Sequence, residues 1–167
     1  MKIKCLILTL AGLLLPLAGC MQQPDIARIY VSHGLDGVTG KEFRVDLTDG
    51  TFGSYYNIHM DIADARDPAA PDEGFTFVKG LDEKEMDHFL RAAGRHGFSN
   101  WAKDGQDYRD KEISPVRDWE IRIVYSDGTE DRLDGCNAYP DSWNDMNNAF
   151  KALTDEGVLE PGRISYR

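Results

Sequence analysis

The sequence predicts an α+β fold: an antiparallel sheet built from two hairpins, with two amphipathic helices packed on one face. Three observations predict it. Asp-Gly-Thr occurs twice between runs of alternating apolar and polar residues, at Asp49-Gly50-Thr51 and Asp127-Gly128-Thr129. Asp-Gly favours the tight turn that joins neighbouring strands, because both central residues take positive φ. Each hairpin is followed by a stretch with apolar residues at helical spacing. Local hairpins with helices segregated to one side give a two-layer α+β architecture.

The elements follow in order. Arg28-Ile29-Tyr30-Val31 reads as a first strand, and Gly34 to Gly40 as a glycine-rich turn. Phe43, Val45 and Leu47 alternate with polar residues, which predicts a strand with one buried face. Past the first Asp-Gly, Thr51 to Met60 returns, with Tyr56, Ile58 and Met60 alternating. Asp61 to Gly74 holds Pro68, Pro71 and several acids and reads as an exposed loop. Phe75 to Val78 is a short strand.

A helix then starts at a capping box, with Asp82 as the cap and Glu85 as its reciprocal partner. Met86, Phe89, Leu90 and Ala93 form its apolar stripe, Gly97 stops it, and Phe98 can pack back on the last turn. Ser99 to Val116 reads as an ordered loop. Trp119, Ile121, Ile123 and Tyr125 then point to one side of a strand, and Thr129 to Leu133 returns after the second Asp-Gly. Pro140-Asp141-Ser142 opens a second helix with Trp143, Met146, Phe150 and Leu153 along one face and Gly157 at its end. Ile164 and Tyr166 suit an added edge strand. The repeated hairpin-then-helix order fits a degenerate duplication, although two uses of a favoured turn are the plainer reading.

Composition bounds the class. The chain has 167 residues and a net charge of −10. An acidic balance disfavours nucleic acid, whose phosphates need Lys and Arg, so no nucleic-acid partner is expected. It also disfavours a direct grip on anionic headgroups. Its plainest use is solubility.

The first twenty residues have a different character. Lys2 and Lys4 give a basic start, Leu6 to Leu17 is apolar, and Leu17-Ala18-Gly19-Cys20 places small residues before a cysteine. The apolar run is shorter than the ~20 residues a bilayer-spanning helix needs, and Pro16 interrupts it. These features resemble a bacterial lipoprotein signal. The resemblance implies a signal peptide over 1–19, cleavage before Cys20, lipidation of its thiol and a tether over 20–27; by length and element order, 28–167 then reads as a single α+β domain. It implies residence in the cell envelope, anchored to a membrane through the N-terminal lipid. Met21 after the cysteine points to the periplasmic face of the outer membrane in a Gram-negative cell. A leader cleaved without lipidation is the rival reading.

The body, from about Lys41 to Leu153, resembles uncharacterised exported bacterial domains. It shares strand-Asp-Gly-Thr-strand, a capped helix ending in Gly-Phe, Trp-x-Ile-x-Ile-x-Tyr-x-Asp-Gly, and Gly-x-Asn-x-x-Pro-x-x-Trp before a closing helix. That resemblance rests on turns and core positions and transfers no catalytic residue.

Candidate chemistry is sparse. With Cys5 in the leader and Cys20 lipidated, Cys136 is the thiol left in the body and forms no internal disulfide. It reads as a small buried hydrophobe; a catalytic thiol would need a nearby His or cation. Cys136, Asn137, Tyr139 and Trp143 are the ligand-contact candidates: a thiol, an amide, a phenol and an indole gathered near a helix start whose free N–H groups can hold an anion. The competing reading is structural, with Tyr139 and Trp143 stapling the helix entry. His59 and Asp61 share one side of a strand and are the metal or acid–base candidates, although first-row metals want more ligands than these two. His88 and His96 lie too far apart on one helix for a single ion. Asp104, Asp107, Asp110 and Glu112 are oxygen-rich but lack the spacing of the known calcium loop. No cofactor is implied.

The expected function is a non-enzymatic binding or scaffold domain at the envelope, with an envelope protein as its further partner. The alternative is a small hydrolase or metal-dependent enzyme using His59 and Asp61. A third reading is an inhibitor acting through the Asp61 to Gly74 loop.

Overall fold

A computed structural model of the protein describes residues 25–35, 38–56, 74–110, 112 and 115–160. The leader, Cys20, His59, Asp61, nearly all of the proline-containing loop and the Ile164–Tyr166 strand lie outside the described residues. The elements are β1 (Ile26–Leu35), β2 (Val38–Asp46), β3 (Thr51–Tyr56), β4 (Thr76–Gly80), α1 (Glu83–Arg95), β5 (Asp118–Tyr125), β6 (Glu130–Cys136) and α2 (Trp143–Thr154). A 3-10 turn covers Phe98–Lys103.

The strands form one six-stranded sheet in the order β4-β3-β2-β1-β5-β6. Every neighbouring pair is antiparallel. The fold is therefore α+β: an antiparallel sheet with two helices. The first strand is longer than Arg28 to Val31 and occupies the centre of the sheet. Both its edges are paired, with Ile29 opposite Val45 on one side and Ile123 on the other. Gly34 and Gly40 belong to strands, not to a turn, because pairing continues to Leu35 opposite Val38. The two Asp-Gly turns join β2 to β3 and β5 to β6, but φ is positive only at Gly50 and Gly128 and not at Asp49 or Asp127, and each connection is four residues long, so neither is the two-residue turn expected. In the second, Asp127 Oδ1 accepts from the Thr129 amide at 2.9 Å and the Thr129 hydroxyl at 2.6 Å. These bonds hold its carboxyl below the usual range.

Alternation decides the core. β5 buries Trp119, Ile121, Ile123 and Tyr125 and leaves the residues between them half-exposed. Ile29, Val31, Phe43, Val45 and Phe52 join them, together with Phe89, Met146, Phe150 and Leu153 from the helices. Phe89 and Phe150 bring α1 and α2 together, their rings 4.8 Å apart. α1 carries the full capping box, with Asp82 accepting from the helix and Glu85 accepting from the Asp82 amide. Its stripe differs from the expectation at one place: Leu90 is 37 % exposed, while Ala92 is buried. The buried face is centred on Phe89, Ala92 and Ala93, which turns Leu90 to the rim. α2 ends at Asp155 (φ 63°), before Gly157; an Asp tolerates the left-handed conformation.

The other side of the sheet carries polar and aromatic residues. Tyr30 lies beneath the Arg122 guanidinium, 4.1 Å from the ring centroid, and near Phe75. Arg28 Nε donates to Asp46 at 2.6 Å. The β4 edge exposes Phe77 (65 %) and Val78 (43 %). Its register slips between Phe52 and Gly53, so Val78 is the extra residue of a bulge. Bulges twist an edge strand away from further pairing.

Candidate functional site

Cys136 ends β6 and Asn137 follows it, well before α2 begins at Trp143. The expected gathering of thiol, amide, phenol and indole at a helix start is thus spread over a strand end and the segment that leads to the helix. Cys136 is buried. Its Sγ lies 3.7 Å from the Asp110 carbonyl. Its amide donates to the Tyr108 carbonyl at 2.7 Å, and its own carbonyl accepts from the Asp110 amide at 2.7 Å. Asn137 takes a positive φ of 56°. From there its side chain reaches the same loop: Nδ2 donates to the Asp110 carbonyl at 3.1 Å, and Oδ1 accepts from the Arg117 amide at 3.0 Å. Asn tolerates that backbone conformation better than a branched residue. Together the two residues clamp the long connection between α1 and β5 onto the end of the sheet.

Tyr139 and Trp143 belong to an aromatic cluster. Trp143 lies 4.7 Å from Trp119, 4.8 Å from Tyr139 and 5.8 Å from Trp101, centroid to centroid. Every indole N–H in it has an acceptor. Trp119 donates to the Ala138 carbonyl at 2.9 Å, Trp143 to the Leu159 carbonyl at 3.1 Å, and Trp101 to Ser142 Oγ at 3.1 Å. Ser142 Oγ passes its own hydrogen to the His96 carbonyl at 2.9 Å. Buried indoles require such partners, and here the partners are protein atoms. Burial pushes the Tyr139 phenol up, against an opposing pull from Arg117. At the α2 start the Trp143 amide donates to Pro140 and the Met146 amide to Ser142, and Asp145 sits in the first turn. Among the described residues, no side chain caps this helix start.

The acidic loop is likewise engaged. Asp104 accepts from the Gln106 amide at 2.9 Å and from the Tyr108 hydroxyl. Asp110 accepts from the Glu112 amide at 3.2 Å. Burial, then the Asp104 carboxylate, pushes the Tyr108 phenol up to about 12. Among the described residues, no group of three or more His, Cys, Asp or Glu side chains is close enough to hold a metal ion.

Sequence reasoning missed two features. A half-open depression of about 190 Å³ is lined by Ser32, Asp118, Trp119, Glu120, Asp134 and Gly135. Two of its carboxylates have cationic neighbours: Arg109 lies 2.6 Å from Asp134 and Arg132 lies 3.5 Å from Glu120. The depression exists because β1 and β5 are neighbours, a pairing with no local signal. The second feature is His33, which is buried in the sheet with Nε2 2.7 Å from the Val158 carbonyl. Its position on the apolar side of β1 (two residues past Val31) was the available signal. Compared with known proteins, the chain matches no family model and no curated sequence.

Proposed function

We propose that the protein is a lipid-anchored domain of the cell envelope that works by binding or scaffolding and performs no chemistry of its own. The observation that carries this reading is the sequence Leu17-Ala18-Gly19-Cys20 closing an apolar run after Lys2 and Lys4. The N-terminal lipid is its contact with the membrane, and an envelope protein is its partner. We read the sheet as built on its two Asp-Gly hairpins, with both helices laid on the apolar face. The first strand begins at Ile26, six positions after Cys20. Fully extended, that stretch reaches about 20 Å, so the body would ride close to the lipid surface. The residues that looked most reactive support a non-catalytic reading: Cys136, Asn137 and the three tryptophans spend their polar atoms on the fold.

The test is expression of the full chain in a bacterium with a lipoprotein-processing pathway. Mass spectrometry should find an acylated N-terminal Cys20, and Cys20→Ala should move the protein from the membrane to the soluble fraction. An intact Met1, or a mature terminus without acyl groups, overturns the anchor. Cross-linking of envelopes should return a reproducible partner; the absence of one counts against the binding role.

A further inference from the structure

His33 stands on the central strand, 6 % exposed, inside the apolar layer. A carbonyl only accepts, so the imidazole hydrogen sits on Nε2 and is donated to Val158. Val158 belongs to the segment 156–160, which follows α2 and has no regular secondary structure. Val158 and Leu159 are fully buried all the same. The segment is fastened by a few polar contacts. Lys41 Nζ lies 2.6 Å from Glu156, Trp143 holds the Leu159 carbonyl, and Asn147 Oδ1 accepts from the Leu159 amide at 3.0 Å. Thr154 Oγ1 and Asn147 Nδ2 add bonds to Glu156 and Glu160; lacking ladder bonds to the sheet, such a segment can open apart from the strands it covers.

We propose that His33 and the segment 156–160 form an acid-sensitive latch: taking up a proton on the imidazole favours a state in which this segment lifts from the sheet. The charged groups facing His33 among the described residues are Lys41, its cross-strand neighbour on β2, and Glu156, which Lys41 pairs with; β5 offers the uncharged Trp119. A charged imidazole in the closed state therefore meets apolar walls and the Lys41 ammonium, whose charge the paired Glu156 partly offsets. Burial, reinforced by Lys41, holds the His33 pKa below its ordinary value, against an opposing pull from the Val158 carbonyl. The open state hydrates the imidazole and removes that penalty. Opening is then linked to one proton. Its equilibrium constant is constant above about pH 6.5 and rises about tenfold per pH unit below it, until the closed-state pKa is reached.

The experiment is hydrogen exchange on the folded chain between pH 7.5 and 5, corrected for the intrinsic pH dependence of exchange. The reporter is the Leu159 amide, whose bond to Asn147 Oδ1 must break when the segment lifts, whereas Val158 and Glu160 bond within the segment; Ile29 and Ile121 report global unfolding. The latch requires Leu159 to be less protected than Ile29 and Ile121 throughout and to lose protection below about pH 6.5 with the slope of one proton; Leu159 exchanging together with Ile29 and Ile121 means that only global unfolding exposes His33, and overturns the latch. His33→Gln, which keeps a donor but cannot charge, should flatten that dependence. The same loss of protection in His33→Gln overturns the proposal. If that variant does not fold, NMR titration of the His33 ring in the unmodified chain is added: an ordinary midpoint overturns the latch, and a lowered one supports it only together with Leu159 exchanging faster than Ile29 and Ile121.

Discussion

Gly135 lies directly opposite Trp119 across the β5–β6 pair, and the indole fills the space where a side chain on residue 135 would stand. A Cβ built there would fall 2.3 Å from Cζ2 of the ring. That indole is the floor of the aromatic cluster, bonded to the Ala138 carbonyl and in contact with Tyr139 and Trp143.

Gly135→Ala should therefore destabilise the fold by about 3 kcal/mol, because the ring must leave its seat or the strands must part. Gly80→Ala is the control, since a Cβ at Gly80 meets nothing within 4 Å, and it should change stability by about 0.5 kcal/mol or less. Urea midpoints compare the two. Equal midpoints would mean that the indole repacks freely.

Asp46 is nearly inaccessible and serves three partners. Oδ2 receives Arg28 at 2.6 Å, and Oδ1 receives the amides of Thr48 and Asp49 at 3.0 and 2.9 Å. It thus sets the first Asp-Gly turn and ties it to the central strand. Asp46→Ala should cost about 2–3 kcal/mol, less than a fully buried pair because Arg28 is about one-third exposed. Asp46→Asn keeps the turn acceptor and should lose roughly half as much. Chemical denaturation of both variants checks the order.

Cys136 is shielded and engaged by the loop it clamps. In the folded protein its thiol should resist alkylation for as long as the native state persists, and label at once in denaturant. Peptide mapping by mass spectrometry reads this directly. Rapid native labelling would restore it as a reactive thiol. Cys136→Ala should fold, with a loss of about 1 kcal/mol.

Tyr108 and Tyr125 are both held neutral into alkali, first by burial and then by hydrogen bonds to Asp104 and Asp131. The sign follows from linkage. Unfolded phenols release their protons near pH 10 while the folded ones keep them. Their contribution is complete below about pH 10 and is lost as pH rises toward about 12, the value for Tyr108. Stability should fall across that interval, and Tyr108→Phe should fall less steeply. Denaturation midpoints at pH 9, 10 and 11 test it.

The helix cap offers a smaller, local effect. Asp82→Ala removes the acceptor for the Lys84 amide, 2.8 Å away, and should cost about 1 kcal/mol. Circular dichroism melts would show a modest fall in midpoint with no change of fold.

What the sequence determined by itself was local. The two Asp-Gly turns, the Asp82–Glu85 box, the alternation of Trp119 to Tyr125 and the stripe from Trp143 to Leu153 are all short-range patterns, fixed by backbone sterics and by the period of each element. What only the tertiary structure decided depends on residues distant in the chain. Nothing near Ile29 says that Val45 and Ile123 flank it, because strand pairing carries no local code. The same holds for His33 and Val158, and for the Asp110 carbonyl that receives Asn137. Those meetings give Cys136 and Asn137 their place as a clamp.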